Sequence, residues 1–162
     1  MSFASRVTLV VLGLLLSACS TQSSQTDVKL SRTGSWVLLP LVNLAQAPQA
    51  AEGAEQILFS VLAANGLTVT PAPQQQQPAD EFPLEDSQRL QQALQWARQR
   101  GDTYAITGSV EEWQYKSGLD GEPAVGITLR VIEPASGRIL WSASAARAGW
   151  SRESLAGAAQ TV

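Results

Sequence analysis

Three strand-like segments follow one another near the C-terminus, and they constrain the fold more than any other feature of the chain. They are "TYAITGSVEEWQYK" (103–116), "AVGITLRVIEP" (124–134) and "GRILWSASAARAG" (137–149). The tight turn "EPASG" joins the last two segments. Its turn residues between alternating runs predict an antiparallel hairpin. In the third segment Ile139, Trp141, Ala143 and Ala145 share one face, so we expect Trp141 to lie in the core.

Earlier parts of the chain alternate between strand and helix signals. The apolar run at 36–44, interrupted by Pro40, predicts a buried strand that bends or ends near the proline. Apolar residues at helical spacing follow from Ala54 to Leu62, and "LTVTP" is a short second strand. Asp86 is a suitable cap for a second helix, and a third helix begins near Ser151. The order β-α-β-α-β-β-β-α predicts an α/β domain with a single mixed sheet of about five strands and three packed helices.

Composition excludes several classes of function. The chain has 162 residues, a net charge of -3, no histidine and one cysteine. A chain of this length fits one folded domain. No cluster of lysines and arginines is present that would bind nucleic acid electrostatically. A Ser-His-Asp triad is excluded because the chain has no histidine. Glu111 and Glu112 are neighbours on a predicted strand and point to opposite faces. We therefore expect no enzyme, no catalytic residue, no cofactor and no metal site.

The first twenty residues, "MSFASRVTLVVLGLLLSACS", have the pattern of an export signal. The apolar run from Val7 to Leu16 is too short to span a bilayer, which needs about 20 residues, and it fits the core of a secretory signal. The end, Leu16 to Cys19, resembles the bacterial lipobox, in which the cysteine becomes the first mature residue and carries the lipid. Ser20 in place of an aspartate implies, by the same resemblance, sorting to the periplasmic face of the outer membrane. Each CH₂ group of an acyl chain that is buried in the membrane contributes about 0.8 kcal/mol to binding, so several acyl chains form a lasting anchor.

These patterns divide the chain into three parts. Residues 1–18 are the signal peptide, and residues 19–35 are the lipidated Cys19 with a polar, flexible tether. Residues 36–162 are a periplasmic α/β domain. The alternative for the start of the chain is an ordinary signal peptide with a chance cysteine.

The connection "SGLDGEPAVG" (117–126) carries two acids, Asp120 and Glu122. Asp-Gly is a favoured turn dipeptide, so turn chemistry alone explains the segment. The other interpretation is a loop that presents acid to a partner or a passing ligand. The residues themselves leave both open.

Trp150 precedes the signal for the last helix. With Ser151 as N-cap, Trp150 and Leu155 have the spacing of a hydrophobic staple. The amphipathic indole also suits a membrane interface. Both roles remain open, and they are compatible with each other.

The motifs "ITGSV", "SGRILWS" and the lipobox resemble small periplasmic lipoproteins with a TolB-N-terminal-like or CsgG-like domain. The segments "GLDGEPAVG" and "ARAGWSRESLAGAAQ" resemble, within that group, the PelC family of outer-membrane lipoproteins of Pel exopolysaccharide export. The resemblance implies a TolB-N-terminal-like fold and a homo-oligomeric ring, dodecameric in the family. Such a ring guides a cationic polysaccharide to an outer-membrane export barrel with periplasmic repeats, of the PelB kind. It also implies a lumen acid at Asp120, a weaker one at Glu122, and a membrane-facing Trp150.

Two other functions remain open. One is a lipoprotein that activates a peptidoglycan synthase, acting as a monomeric binding module. The other is a CsgG-like secretion component, which needs long amphipathic strands beyond the predicted sheet. The chain has no spare pair of such strands, so a separate barrel partner is expected.

Overall fold

A single six-stranded sheet organises the protein. The computed structural model describes residues 21–26, 29–73, 86–116, 121–149 and 153–162. The strands are β1 (Thr21–Thr26), β2 (Trp36–Asn43), β3 (Val69–Pro71), β4 (Tyr104–Tyr115), β5 (Pro123–Ile132) and β6 (Ile139–Ala148), and the helices are α1 (Ala50–Ala64), α2 (Asp86–Arg100) and α3 (Leu155–Gln160). Cys19, Asp120, Trp150 and Ser151 lie outside the described residues.

The strand order is β1-β6-β5-β4-β2-β3, and the sheet is mixed. β2 pairs in parallel with β3 and β4, whereas β4, β5, β6 and β1 pair antiparallel in succession. The parallel pairs are those joined through helices, which is the connection that parallel strands require. The predicted mixed α/β sheet, the three helices and the β5–β6 hairpin are therefore confirmed.

Helices cover both faces of the sheet. α2 packs Ala93, Leu94 and Ala97 on one face, against Val37 and Leu39 of β2. α1 covers the opposite face. Its first turns bury Ala50, Ala51 and Ala54 beside Leu41 and Val110. Neighbouring residues of β2 point to opposite faces, so this one strand contributes to the core of both layers.

An edge strand, β1, is the element that the sequence pattern does not predict. It pairs with β6 from Thr21 opposite Ala146 to Thr26 opposite Trp141. The next described segment is also docked, because Leu30 packs on the core and Trp36 Nε1 donates to the carbonyl of Ser31 at 3.1 Å. This differs from the flexible tether that the polar composition predicts. An edge strand needs only backbone partners, so a polar sequence gives no sign of it.

Bulges shift the alternation of three strands, β2, β4 and β6, and the one in β4 places Glu111 as the extra residue. In β2, Leu38 is opposite Ile106 and Leu41 opposite Gly108, so Pro40 lies in a bulge. A proline without an N–H fits this position, and its carbonyl accepts the hydroxyl of Thr107 at 3.0 Å. The predicted bend near Pro40 is confirmed.

The third bulge lies at the start of β6. Trp141 is opposite Val131 but Ile139 is opposite Ile132, so Leu140 is the extra residue. Leu140 is 4% exposed and Ile139 is 54% exposed. The prediction that Ile139 shares the buried face is therefore wrong, while Trp141 packs against the core cluster half-buried.

Gly108 lies where β4 and β5 approach each other closely. A Cβ at this position would overlap the carbonyl oxygen of Thr128 on β5. The glycine is therefore required by the close approach of the two backbones.

Candidate functional site

The described residues nearest in sequence to the predicted site residues Cys19, Asp120 and Trp150 lie at one end of the sheet. We call this end the hairpin end. Here β4 ends at Tyr115, β5 begins at Pro123, and β6 ends at Ala148. Tyr115 is opposite Pro123, and Ala124 is opposite Ala148. The β4–β5 connection and the segment after β6 therefore leave the sheet side by side.

Glu122 is the described acid of this end. Its side chain is exposed, and its carbonyl accepts the N–H of Lys116 at 2.7 Å, which closes the base of the β4–β5 connection. This placement is compatible with both earlier interpretations of the loop, because the backbone makes the turn while the carboxylate stays in solvent. Asp120 lies in the part of this connection outside the described residues.

The segment before Trp150 is held against the same end. The N–H of Gly149 donates to the carbonyl of Pro123 at 2.7 Å, and a Cβ on Gly149 would lie 2.8 Å from the Pro123 ring. Trp150 itself is outside the described residues. Gly149, the described residue before Trp150, is therefore hydrogen-bonded to Pro123, which directly follows Glu122.

The strand that follows Cys19 starts at this end as well. Thr21 of β1 is opposite Ala146, close to the end of β6. Sequence reasoning treated Cys19, the acid loop and Trp150 as separate features. The strand order that brings their described neighbours together is a property of the tertiary structure, and the sequence carries no local signal for it.

Helix α3 covers the hairpin end on the α1 face. Ser154 is its N-cap and accepts the N–H of Gly157 at 3.0 Å. Tyr115 accepts the N–H of Leu155 at 3.2 Å. The helix therefore begins at Leu155, and the predicted cap at Ser151 is wrong. The staple spacing fails with it, because Leu155 is the first helical residue and not the fourth after the cap.

An ion pair joins β6 to the segment before α3. Arg147 Nη1 lies 2.7 Å from Glu153 Oε1, and the same nitrogen donates to the hydroxyl of Thr161. Both charged side chains are about three-quarters buried. Arg147 and Glu153 therefore neutralise each other, and Glu122 and Lys116 at the base of the β4–β5 connection are exposed.

A second polar cluster lies at the end of β2, and each of its carboxylates has a structural role. Glu55 Oε1 accepts the N–H of Leu41 at 2.8 Å, and Asp86 Oδ2 accepts the N–H of Asn43 at 2.8 Å. Arg89 lies 3.2 Å from both Glu52 and Asp86. Burial raises the pKa of Glu55, and the Leu41 hydrogen bond and the charge of Arg89 act against this rise. The cluster satisfies the backbone that the Pro40 bulge and the end of β2 leave unpaired.

Two searches of the described residues gave negative results. Within the described ranges, no three His, Cys, Asp or Glu side chains are grouped so that they could hold a metal ion. Among the helices that the structure describes, none combines the length and apolar character needed to cross a membrane.

Comparison with known proteins gave matches among solved structures. No protein-family model matches the chain, and no curated protein matches it. The structure is similar to that of a PelC dodecamer from Paraburkholderia phytofirmans, with a TM-score of 0.73 and 33% sequence identity over 89% of this chain and 91% of that one.

Two further matches share the fold at lower identity. A lipoprotein from Neisseria meningitidis is 18% identical, with a TM-score of 0.58 over 75% of this chain and 86% of that one. The LpoB C-terminal domain from Salmonella enterica is 20% identical, with a TM-score of 0.50 over 76% and 87% of the two chains. At these identities the likeness concerns the fold alone.

Proposed function

Because this chain belongs to the PelC family, we propose that it is an outer-membrane lipoprotein that forms a homo-oligomeric ring for exopolysaccharide export. The ring guides a cationic polysaccharide through the periplasm to a separate export barrel. The observation that carries this proposal is the likeness to a PelC dodecamer over 89% of the chain at 33% identity.

The hairpin end supports the same proposal. The strand after Cys19 and the acid connection start from one end of the sheet. With Cys19 lipidated and Trp150 at the membrane interface, this end faces the outer membrane. Each copy in a ring then presents Asp120 and Glu122 close to the membrane, where the polymer must enter the barrel.

Carboxylates that bind the polymer weakly suit its transit. An exposed pair of opposite charges contributes about 0–1 kcal/mol, so one Glu122 holds an ammonium group only briefly. Repetition around a closed ring places many such groups along one path and concentrates their field. Attraction is then strong enough to collect the polymer, and no single contact is strong enough to stop it.

The alternative of a peptidoglycan-synthase activator has less support. Its link to this chain is the likeness to LpoB, which at 20% identity concerns the fold. The export proposal is preferred because the PelC likeness is stronger in both identity and TM-score.

The decisive experiment measures polymer secretion in cells that carry charge-reversed variants of the full-length protein. We expect Asp120→Lys and Glu122→Lys to lower the secreted polymer, and the double variant to lower it further, with normal protein abundance. Glu133→Lys is the matched control. It makes the same charge change at the opposite end of β5, where Glu133 belongs to the β5–β6 turn.

Two results would overturn the proposal. Unchanged secretion in the double variant would remove the acid role of the hairpin end. A strict monomer, measured by light scattering of the processed protein in detergent, would remove the ring.

A further inference from the structure

An open apolar groove runs between α1 and the β5–β6 half of the sheet, with a volume of about 370 Å³. Its floor includes Ile127, Leu129, Trp141 and Ala143, and its wall includes Ile57 and Val61 of α1. The four floor residues belong to the alternating faces of β5 and β6. The apolar face of β5 and β6 therefore extends beyond the area that α1 and α3 cover.

The helices leave this groove open for a geometric reason. α1 fully buries only the small alanines of its first turns, beside Leu41 and Val110, and Leu58 and Leu62 farther along pack against the core only half-buried. Ile57, Leu58 and Val61 of the same helix are only partly buried, and the adjacent Phe59 is 40% exposed. α3 has six residues and closes only one end, through Ala159 and Gln160.

The lining defines the chemistry of an occupant. No charged side chain of the described residues lines the groove, so a cationic polysaccharide finds no counter-charge in it. Exposed apolar patches of this kind mark surfaces for protein or lipid contact. Removing such apolar surface from water is favourable, which favours an apolar occupant over a polar one.

We propose that this groove is the seam between neighbouring copies of the ring and receives an apolar surface of a second copy. The inference rests on the proposed ring function. A similar chain, 33% identical over 89% of this one, is a dodecamer. A ring needs a head-to-tail interface in which two different surfaces meet. Outside the groove the described surface carries exposed Leu44, Tyr115 and Ile139, so a second copy can supply the apolar partner.

The groove also matches the composition of such an interface. Stable interfaces bury about 800 Å² per partner, with an apolar centre and a polar rim. The groove supplies the apolar centre.

Crosslinking in living cells identifies the occupant directly. A photoreactive phenylalanine analogue replaces Ala143 on the groove floor of the full-length protein. In the matched control it replaces Ser142, the preceding residue of β6, which points to the opposite face. We expect an adduct between two differently tagged copies of this chain from position 143, and much less from position 142. A different protein, a phospholipid or no adduct from position 143 would overturn the assignment.

A second measurement compares two neighbouring residues of α1. Val61→Asp puts a charge on the groove wall, whereas Ser60→Asp puts it on the exposed side, where the Ser60 hydroxyl bonds only the Gln56 carbonyl. Desolvating a carboxylate is costly, so Val61→Asp should raise the concentration at half-assembly about tenfold or more. Ser60→Asp should leave it unchanged. Circular dichroism melting confirms that both variants fold.

The outcomes separate this inference from the proposed function. If the wild-type protein forms no oligomer, the ring and the seam fail together. If the oligomer persists in Val61→Asp and position 143 gives no adduct between copies, the ring stands and the seam lies elsewhere.

Discussion

The backbone N–H of Gly149 donates to the carbonyl of Pro123 across 2.7 Å, and the Pro123 ring fills the space where a Gly149 side chain would begin. This contact joins the end of β6 to the start of β5. It therefore holds the end of β6 beside the base of the β4–β5 connection.

Gly149→Ala should therefore loosen the hairpin end. The new Cβ would overlap the Glu153 carboxylate and lie 2.8 Å from Pro123 Cγ, and such overpacking costs about 1–3 kcal/mol. Urea unfolding should show this loss of free energy. Gly53→Ala is the control, because its Cβ would meet Trp113 at an ordinary 3.6 Å and alanine gains roughly 0.5–1 kcal/mol in a helix. Equal effects of both substitutions would contradict the close packing of Gly149.

The start of β6 gives a second prediction, since the Leu140 bulge reverses the expected burial. Leu140→Ala should cost about 2–5 kcal/mol of unfolding free energy, because Leu140 is 4% exposed. Ile139→Ala should cost about 0.5 kcal/mol or less, because Ile139 is 54% exposed. Thermal melts of the two variants provide the measurement. The opposite ranking would contradict the bulge at Leu140 and would support an uninterrupted alternation along β6.

Helix α3 gives a third prediction about its two attachments. Tyr115→Phe removes the acceptor of the Leu155 N–H, at a cost of about 0.5–1.5 kcal/mol, and should speed hydrogen exchange at Leu155. Ser154→Ala removes the acceptor of the Gly157 N–H, at about 1 kcal/mol, and should speed exchange mainly at Gly157. Exchange followed by NMR distinguishes the two. If each variant speeds hydrogen exchange equally along all of α3, the two contacts do not act separately.

Glu55 gives a prediction for pH. Burial raises the pKa of Glu55 above its ordinary value of 4.5, against the opposing effects of the Leu41 N–H and Arg89. The folded state therefore holds the proton more tightly than the unfolded chain. The contribution of Glu55 to stability is fully present below the ordinary pKa and is lost as pH rises through the raised one.

The measurement is urea unfolding from acid to neutral pH, comparing the wild type with Glu55→Gln. Glutamine keeps an oxygen for the Leu41 N–H and cannot ionise in this range. The stability of the wild type relative to the variant should fall as pH rises. Glu52, Asp86 and Arg89 are present in both proteins, so their titration largely cancels. A rise with pH would show that the hydrogen bond and Arg89 outweigh burial.

Local patterns in the sequence determined the order of the elements. Alternation predicts β4, β5 and β6, helical spacing predicts α1 and α2, and the turn at 133–137 predicts the last hairpin. These signals are readable because a residue's burial follows from which face of its own element it occupies. The irregularity at Pro40 was predicted correctly for the same reason, since a proline interrupts the pairing of its own strand.

Only the tertiary structure decided the rest. The bulge at Leu140 shifts which residues are buried, and a one-residue shift reverses the faces of a strand. β1 is held by the backbone of β6 and has no apolar pattern to reveal it. The start of α3 depends on Tyr115, which is 40 residues away in the chain. The hairpin end and the groove between α1 and β6 join segments that are distant in sequence, so they exist only through the strand order of the folded sheet.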